Sequence, residues 1–143
     1  MLRISADPAE LDVALIHDFL AGSYWAAGIP RPTLERALAH SVCFGGYLDG
    51  SQVAFARAVT DQATFAYLAD VFVVPEHRGK GYGREIVRAA MEDPRLQGLR
   101  RWHLVTRDMQ TLYAGLGFTE LSQPGQHMQK HNPDVYRRAN DPA

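Results

Sequence analysis

Little in this chain is in excess. Its 143 residues include one cysteine, Cys43, so no internal disulfide can form and a disulfide-stapled secreted fold is excluded. No apolar run approaches the roughly 20 residues that a membrane helix needs, so no membrane partner is expected. Charge of one sign is also missing. Lys plus Arg total 15 and Asp plus Glu total 16, a net charge of -1. That balance argues against a phosphate-backbone partner, and no nucleic acid is expected. The pairs Arg100-Arg101 and Arg137-Arg138 are too short to reverse it and read as solvated surface. The opening stretch MLRISADPAELD turns acidic at once and shows no signal-peptide pattern, so the expected location is cytoplasmic. The 6 histidines form no metal-ligand spacing, and no metal is expected. His127 and His131 are four apart, but HMQKH reads as strand. His77 reads as exposed.

What is present is an ordinary globular composition, 46% hydrophobic and 22% charged, in a length that suits one domain spanning 1–143. Repeats, low-complexity tracts and linkers are missing from it. RIS is strand-like. Asp7 then reads as an N-cap with Pro8 at the first helical position, and Leu11, Leu15 and Phe19 recur at helical spacing to about Leu20. TLERALAHS reads as a short helix capped by Thr33. Two strands follow, joined at Asp49-Gly50, a hairpin signal. TFAYLADVFVVP is apolar on both faces, as a central buried strand would be. After a glycine-rich turn, Ile86, Val87, Ala90 and Met91 share a helical face. RWHLVT is strand-like, and DMQTLYAGLGF reads as a short helix with Asp108 as N-cap, stopped by Gly115 or Gly117. FTEL and QHMQKH read as two final strands. This order predicts a mixed α/β fold.

The turn, RGKGYG, lies between a strand and a helix N-terminus. There, backbone amides and the helix dipole favour an anion, and glycines allow close approach. The dinucleotide fingerprint fails from Gly79, where Arg84 occupies the last glycine position, and from Gly81, where Ile86 does. The P-loop fails as well, because Val74 stands where its first glycine belongs. A turn without a ligand also fits the residues. Asp70 is the only charge in its apolar strand. A buried carboxylate needs a partner. As read, it could be a base, a substrate anchor or a structural group.

Here the sequence resembles the GNAT superfamily of N-acetyltransferases. RGKGYG matches the pattern [QR]-x-x-G-x-[GA] through Arg78, Gly81 and Gly83, and LYAGLGF resembles the family's L-Y-x-x-x-G-F signature. The resemblance covers about residues 45–121. It implies a GNAT-like α/β fold, with a mostly antiparallel sheet of six to seven strands flanked by about four helices. It also implies a division of the domain. Residues 1–45 would be variable helices on the acceptor side, 45–121 the coenzyme A core, and 122–143 a C-terminal strand and tail. Acetyl-CoA would be the co-substrate. Its pyrophosphate would meet Arg78, Gly79, Lys80, Gly81, Tyr82, Gly83 and Arg84, and its pantetheine arm the backbone of Val71, Phe72 and Val73. Tyr113 aligns with the tyrosine that is thought to protonate the leaving thiolate. A carboxylate on the strand of Asp70 is common in the family. Thr106 stands where many members have an asparagine that contacts coenzyme A. Tyr24 and Trp25 fall where such enzymes cover the acceptor. The implied activity is acetyl transfer to a primary amine of a small molecule, peptide or protein. A coenzyme A binding module without catalysis is the other reading. Family members are often dimers, so a homodimer is compatible.

Overall fold

Val42–Leu48 (β2) and Ser51–Thr60 (β3) fold back on each other at Asp49-Gly50, where both φ angles are positive, 50° and 82°. That is the turn whose twist matches paired strands. The computed structural model describes residues 1–140, so the last three residues of the strand and tail expected at 122–143 lie outside the described residues. Arg3–Ser5 (β1), Phe65–Val73 (β4) and Arg101–His103 (β5) complete one sheet in the order β1-β2-β3-β4-β5. The first four strands are antiparallel neighbours; β4 and β5 run parallel. Helices are Val13–Ala21 (α1), Arg31–Ala39 (α2), Tyr82–Glu92 (α3), Gln110–Ala114 (α4) and Val135–Asn140 (α5).

Each face of the sheet has its own core, as expected for strands apolar on both faces. On one face Ala54, Ala56 and Ala58 present small side chains, and α3 packs Ile86, Val87 and Ala90 against them. On the other, α1 and α2 bring Ile16, Leu20 and Leu34 onto Cys43, Phe55 and Phe72. Phe19 stacks on Phe72 with ring centroids 4.0 Å apart.

Several expectations need correction. Asp7 caps only a 3-10 turn, Pro8–Glu10, by accepting from the Ala9 amide, and the true α1 starts later, capped by Asp12. Helix α2 begins at Arg31 after Pro30, so Thr33 lies inside it rather than capping it. Met109, not Asp108, is the N-cap residue of α4, and the Thr106 hydroxyl accepts from the Met109 amide. His77 is half-buried. The sheet has five strands, not six or seven. FTEL and QHMQKH form none, because Pro124–Gln126 turns the chain as a 3-10 helix and β5 offers only three residues to pair with. His127 meets β5 through its ring instead, stacked 6.0 Å from His103.

Register in β2 depends on a bare backbone. Between Gly46 and Tyr47 the pairing shifts, and the Tyr47 ring lies over Gly45, its hydroxyl donating to the Glu10 carbonyl at 2.9 Å. A Cβ on Gly45 would run into that ring. Gly45→Ala is therefore expected to destabilise the protein by about 1–3 kcal/mol in urea unfolding. The same substitution in a Tyr47→Ala background should cost clearly less, because the obstructing ring is gone.

Candidate active site

Strands β4 and β5 part company early. They pair only from Phe65↔Arg101 to Tyr67↔His103, after which β4 continues to Val73 while the other chain turns away. The gap is a cleft of about 720 Å³, with Leu68–Val71 on one wall and Leu104–Thr106 on the other. Val71 and Val73 are half-buried against the α3 core and Phe72 is buried in the opposite one. In β4 the ladder recorded for Phe72 and Val73 is with β3, which leaves their other edge facing the gap.

A bulge sits just beyond the point of divergence, three residues past the last pair with β5. Phe55 pairs with Phe72 and Arg57 with Ala69, so one β3 residue opposes two on β4. Asp70 takes up the extra length with φ of 57°, a left-handed conformation that Asp tolerates better than most residues. Its side chain is only 8% exposed and lies 2.8 Å from the guanidinium of Arg57, which donates through Nε to Oδ2. Trp25 Nε1 donates to the other oxygen, Oδ1, at 2.8 Å. Arg57 also donates through Nη1 to Ser41 Oγ at 3.1 Å. Both carboxylate oxygens are thus engaged by protein donors.

The structure brings Tyr24, Trp25, Asp70 and Tyr113 to one cleft. Tyr24 meets Trp25 edge-on at 5.1 Å, and the Arg107 guanidinium lies 3.9 Å from the Tyr24 ring centroid, bridging the loop after α1 to the loop before α4. Tyr113 packs edge-on against Phe118 at 5.8 Å. Burial, with a smaller contribution from Tyr24, pushes its phenol above the ordinary tyrosine range. It therefore stays protonated and can donate. Burial and the Asp70 carboxylate do the same to Tyr67, a further cleft residue.

The glycine-rich turn lies past the end of β4. Gly79 and Gly81 have φ of 78° and 83°, and a Cβ on either would meet nothing within 4 Å. The demand there is for backbone conformation, and the space in front is open. Gly81 is the N-cap of α3 and no side chain caps the helix, so its first-turn amides remain available to an anion. Arg78 Nε donates back to the Val73 carbonyl at 3.0 Å, and Lys80 Nζ lies 3.5 Å from His77 Nδ1. The Arg84 guanidinium is directed elsewhere, donating to the Gly115 carbonyl at 3.2 Å.

Sequence reasoning missed Arg57, Tyr67 and His131 as cleft residues. Arg57 did carry a signal: it is the only charge in β3, as Asp70 is in β4. Two lone opposite charges in neighbouring apolar strands invite pairing. Cys43 is excluded from the chemistry. It is buried, and desolvation raises its thiol to about 11, with Arg57 opposing and Asp70 adding. Among the described residues no group of three or more His, Cys, Asp or Glu side chains could hold a metal ion. Nor is any described helix long and apolar enough to cross a membrane.

Comparison with known proteins shows the class to which this fold and cleft belong. The profile of the family described as "Acetyltransferase (GNAT) family" matches residues 13–118. A candidate GNAT acetyltransferase from Xanthomonas campestris pv. campestris, known from its crystal structure, superposes with a TM-score of 0.92 at 50% identity, covering 95% of this chain and 96% of that one. A candidate acetyltransferase of Gibberella zeae is 37% identical over 133 residues, 77% of this chain and 74% of that protein. An acetyltransferase structure from Clostridium acetobutylicum, solved with acetyl-CoA, shares the fold alone: TM-score 0.66 at 15% identity, covering 90% of this chain and 100% of that one. The chain belongs to the GNAT family of acetyltransferases, whose members transfer an acetyl group from acetyl-CoA.

Removing one partner of a buried ion pair strands the other charge. Arg57→Met is expected to cost about 3–5 kcal/mol in urea unfolding. Arg57→Met combined with Asp70→Asn should recover part of that loss, because the stranded carboxylate is then neutral and Asn still tolerates the left-handed backbone.

Proposed function

We propose that this chain acetylates a primary amine by direct attack on acetyl-CoA, with both substrates bound together. The observation that carries this reading is the convergence of Tyr113, Asp70 and the Tyr24–Trp25 pair on one cleft that opens where β4 leaves β5. The residues present fit acetyl-CoA. The free amides at the start of α3, with Gly79 and Gly81 leaving open space before them, suit a pyrophosphate, and Arg78 and Lys80 add positive charge. The edge of Val71–Val73 that no strand covers suits the amides of a pantetheine arm, laid down like an added strand, with the Val73 carbonyl already held by Arg78. Arg84 contributes through its backbone amide, since its side chain serves Gly115.

When bound, acetyl-CoA supplies an activated thioester carbonyl. Tyr113 donates its phenolic proton to the sulfur that leaves, a role its raised pKa favours because the group is reliably protonated. Asp70 anchors. With Arg57 on one oxygen and Trp25 on the other, it holds the bulge open and fixes the indole over the acceptor side. Tyr24 and Trp25 offer aromatic faces to the body or the cation of an incoming amine. A buried, protonated Cys43 disfavours an acyl-cysteine route and supports direct transfer.

Free thiol released from acetyl-CoA with 2-phenylethylamine, spermidine, glycinamide and a free-amino tetrapeptide tests this reading. Release with at least one amine is expected, and a stabilising thermal shift by acetyl-CoA without release from any would instead mark a binding module. Tyr113→Phe is expected to lower kcat about 100-fold while leaving the acetyl-CoA thermal shift unchanged. Undiminished kcat in that variant would remove Tyr113 from the mechanism. Gly81→Glu should abolish the thermal shift, because it adds bulk and negative charge where φ is 83° and the anion would sit.

A further inference from the structure

Direct attack leaves one proton without a destination, because the amine nitrogen must shed it as the new N–C bond forms. Asp70 is badly suited to take it. Oδ1 accepts from Trp25 and Oδ2 from Arg57, so protonation there would break a buried ion pair. Tyr67 and Tyr113 are held protonated by burial and act as donors. Tyr24 and Tyr136 are phenols as well, and Arg57 is a permanent cation. Asp108 is an exposed carboxylate, and ordinary carboxylates titrate about 6 units below an alkylammonium, which makes them weak partners for its proton.

One side chain in the cleft has the right chemistry. We propose that His131 is the general base of the reaction, an inference that rests on the acetyl-transfer mechanism proposed above. The segment after the last 3-10 turn returns across the acceptor side, and Gln129, His131, Asn132, Pro133, Val135 and Tyr136 line the cleft that holds Asp70 and Tyr113. Tyr136 packs onto the core formed by Ile16, Leu20, Phe55 and Phe72, which pins the segment in place. Among the described residues none hydrogen-bonds, ion-pairs or stacks with the His131 ring, and the residue lines the cleft with an exposed side chain. Imidazole is the side-chain group that ordinarily changes protonation near neutrality. The charges around it are mixed. Lys130 and Asp134 flank it on its own segment; Arg57, Asp70 and Asp108 face it across the cleft, with Arg107 at the mouth on Tyr24.

His131 takes the N–H proton as nitrogen bonds to the carbonyl carbon. Tyr113 gives its proton to sulfur as the C–S bond breaks. Solvent then restores the proton to Tyr113 and removes the one on His131. The balance is amine plus thioester to amide plus thiol.

The test is the pH dependence of kcat/KM for whichever of the four amines above turns over fastest. In the wild type the acid limb steepens from a one-proton to a two-proton dependence below the imidazole pKa, because amine and base must both be deprotonated. In His131→Gln, kcat/KM near neutrality should fall about 100-fold, the limb should keep a one-proton dependence throughout, and the acetyl-CoA thermal shift should persist. His127→Gln, on the same segment but stacked on His103, should retain the two-proton limb. Titration of ring-labelled histidine by NMR without acetyl-CoA gives a reading independent of turnover. The His131 pKa in the free protein should match the kinetic inflection, since kcat/KM reports the free enzyme. A two-proton limb that survives in His131→Gln, or a His131 pKa more than about one unit from the inflection, overturns the assignment. Turnover with an unchanged profile overturns His131 alone; no thiol release with any amine overturns the acetyl-transfer mechanism and His131 with it.

Discussion

The ion pair between Arg57 and Asp70 sets the geometry on which the rest of the site depends. A carboxylate only 8% exposed in an apolar strand is costly unless its charge is met, and here a guanidinium meets it at 2.8 Å. Asp70 can reach Arg57 because the backbone bulges, and the bulge is tolerable because Asp accepts a φ of 57°. The same bulge falls three residues past the point where β4 leaves β5, so the charge pair and the strained backbone both sit on the wall of the cleft. Trp25 is added through its indole nitrogen, which ties the ring from the loop after α1 to β4.

Packing places the other half of the site. Ala54, Ala56 and Ala58 let α3 approach the sheet closely, and Ile86, Val87 and Ala90 lock it there. With that helix fixed, its uncapped N-terminus has a defined position beyond the end of β4. The phosphate end and the reactive end of a coenzyme A molecule would then be spaced by the length of β4 beyond the bulge. On the opposite face larger groups do the filling, Phe55 and Phe72 with α1 and α2, and the loop that carries Tyr24 and Trp25 grows out of that layer.

Much of this was readable in the residues where the determinants are local. The turn at Asp49-Gly50, the glycines before α3 and the signature around Tyr113 are short stretches whose backbone needs restrict which residues can stand there. Helix caps were legible only in kind. Asp7, Thr33 and Asp108 all have capping chemistry, but Asp12, Pro30 and Met109 hold the cap positions, because tertiary packing decides which turn continues as α-helix. Asp70 stood out as an anomaly, yet its resolution lay across the sheet, 13 residues away in Arg57. The segment after Phe118 was misread most. It is polar and carries no period, so strand was a guess from composition. The chain instead runs without regular structure past a 3-10 turn, and His127 and His131 end up with different neighbours: one stacked on His103, one on the cleft.

The two substrates draw on the chain in different ways, and this explains why one was visible and the other was not. The surfaces that suit acetyl-CoA come from nearly contiguous sequence, from β4 through the glycine turn to α4, so a linear motif can encode them. The acceptor side of the proposed reaction would draw on four separated places that line the cleft: the loop at 24–29, Arg57 on β3, Tyr67 and Asp70 on β4, and the segment at 129–136. No short pattern spans them. Two of these four places are loop or irregular chain, and both are tied to the buried layer: Ala26 and Ile29 are buried, Trp25 donates to Asp70, and Tyr136 packs on the same core. On the proposed function, changing the exposed groups between those anchors, such as Tyr24 or His131, would alter the acceptor side while leaving the Arg57–Asp70 pair and α3 in place. On the proposed function, the buried half of the site would then carry the chemistry common to the family, and the exposed half would select the amine.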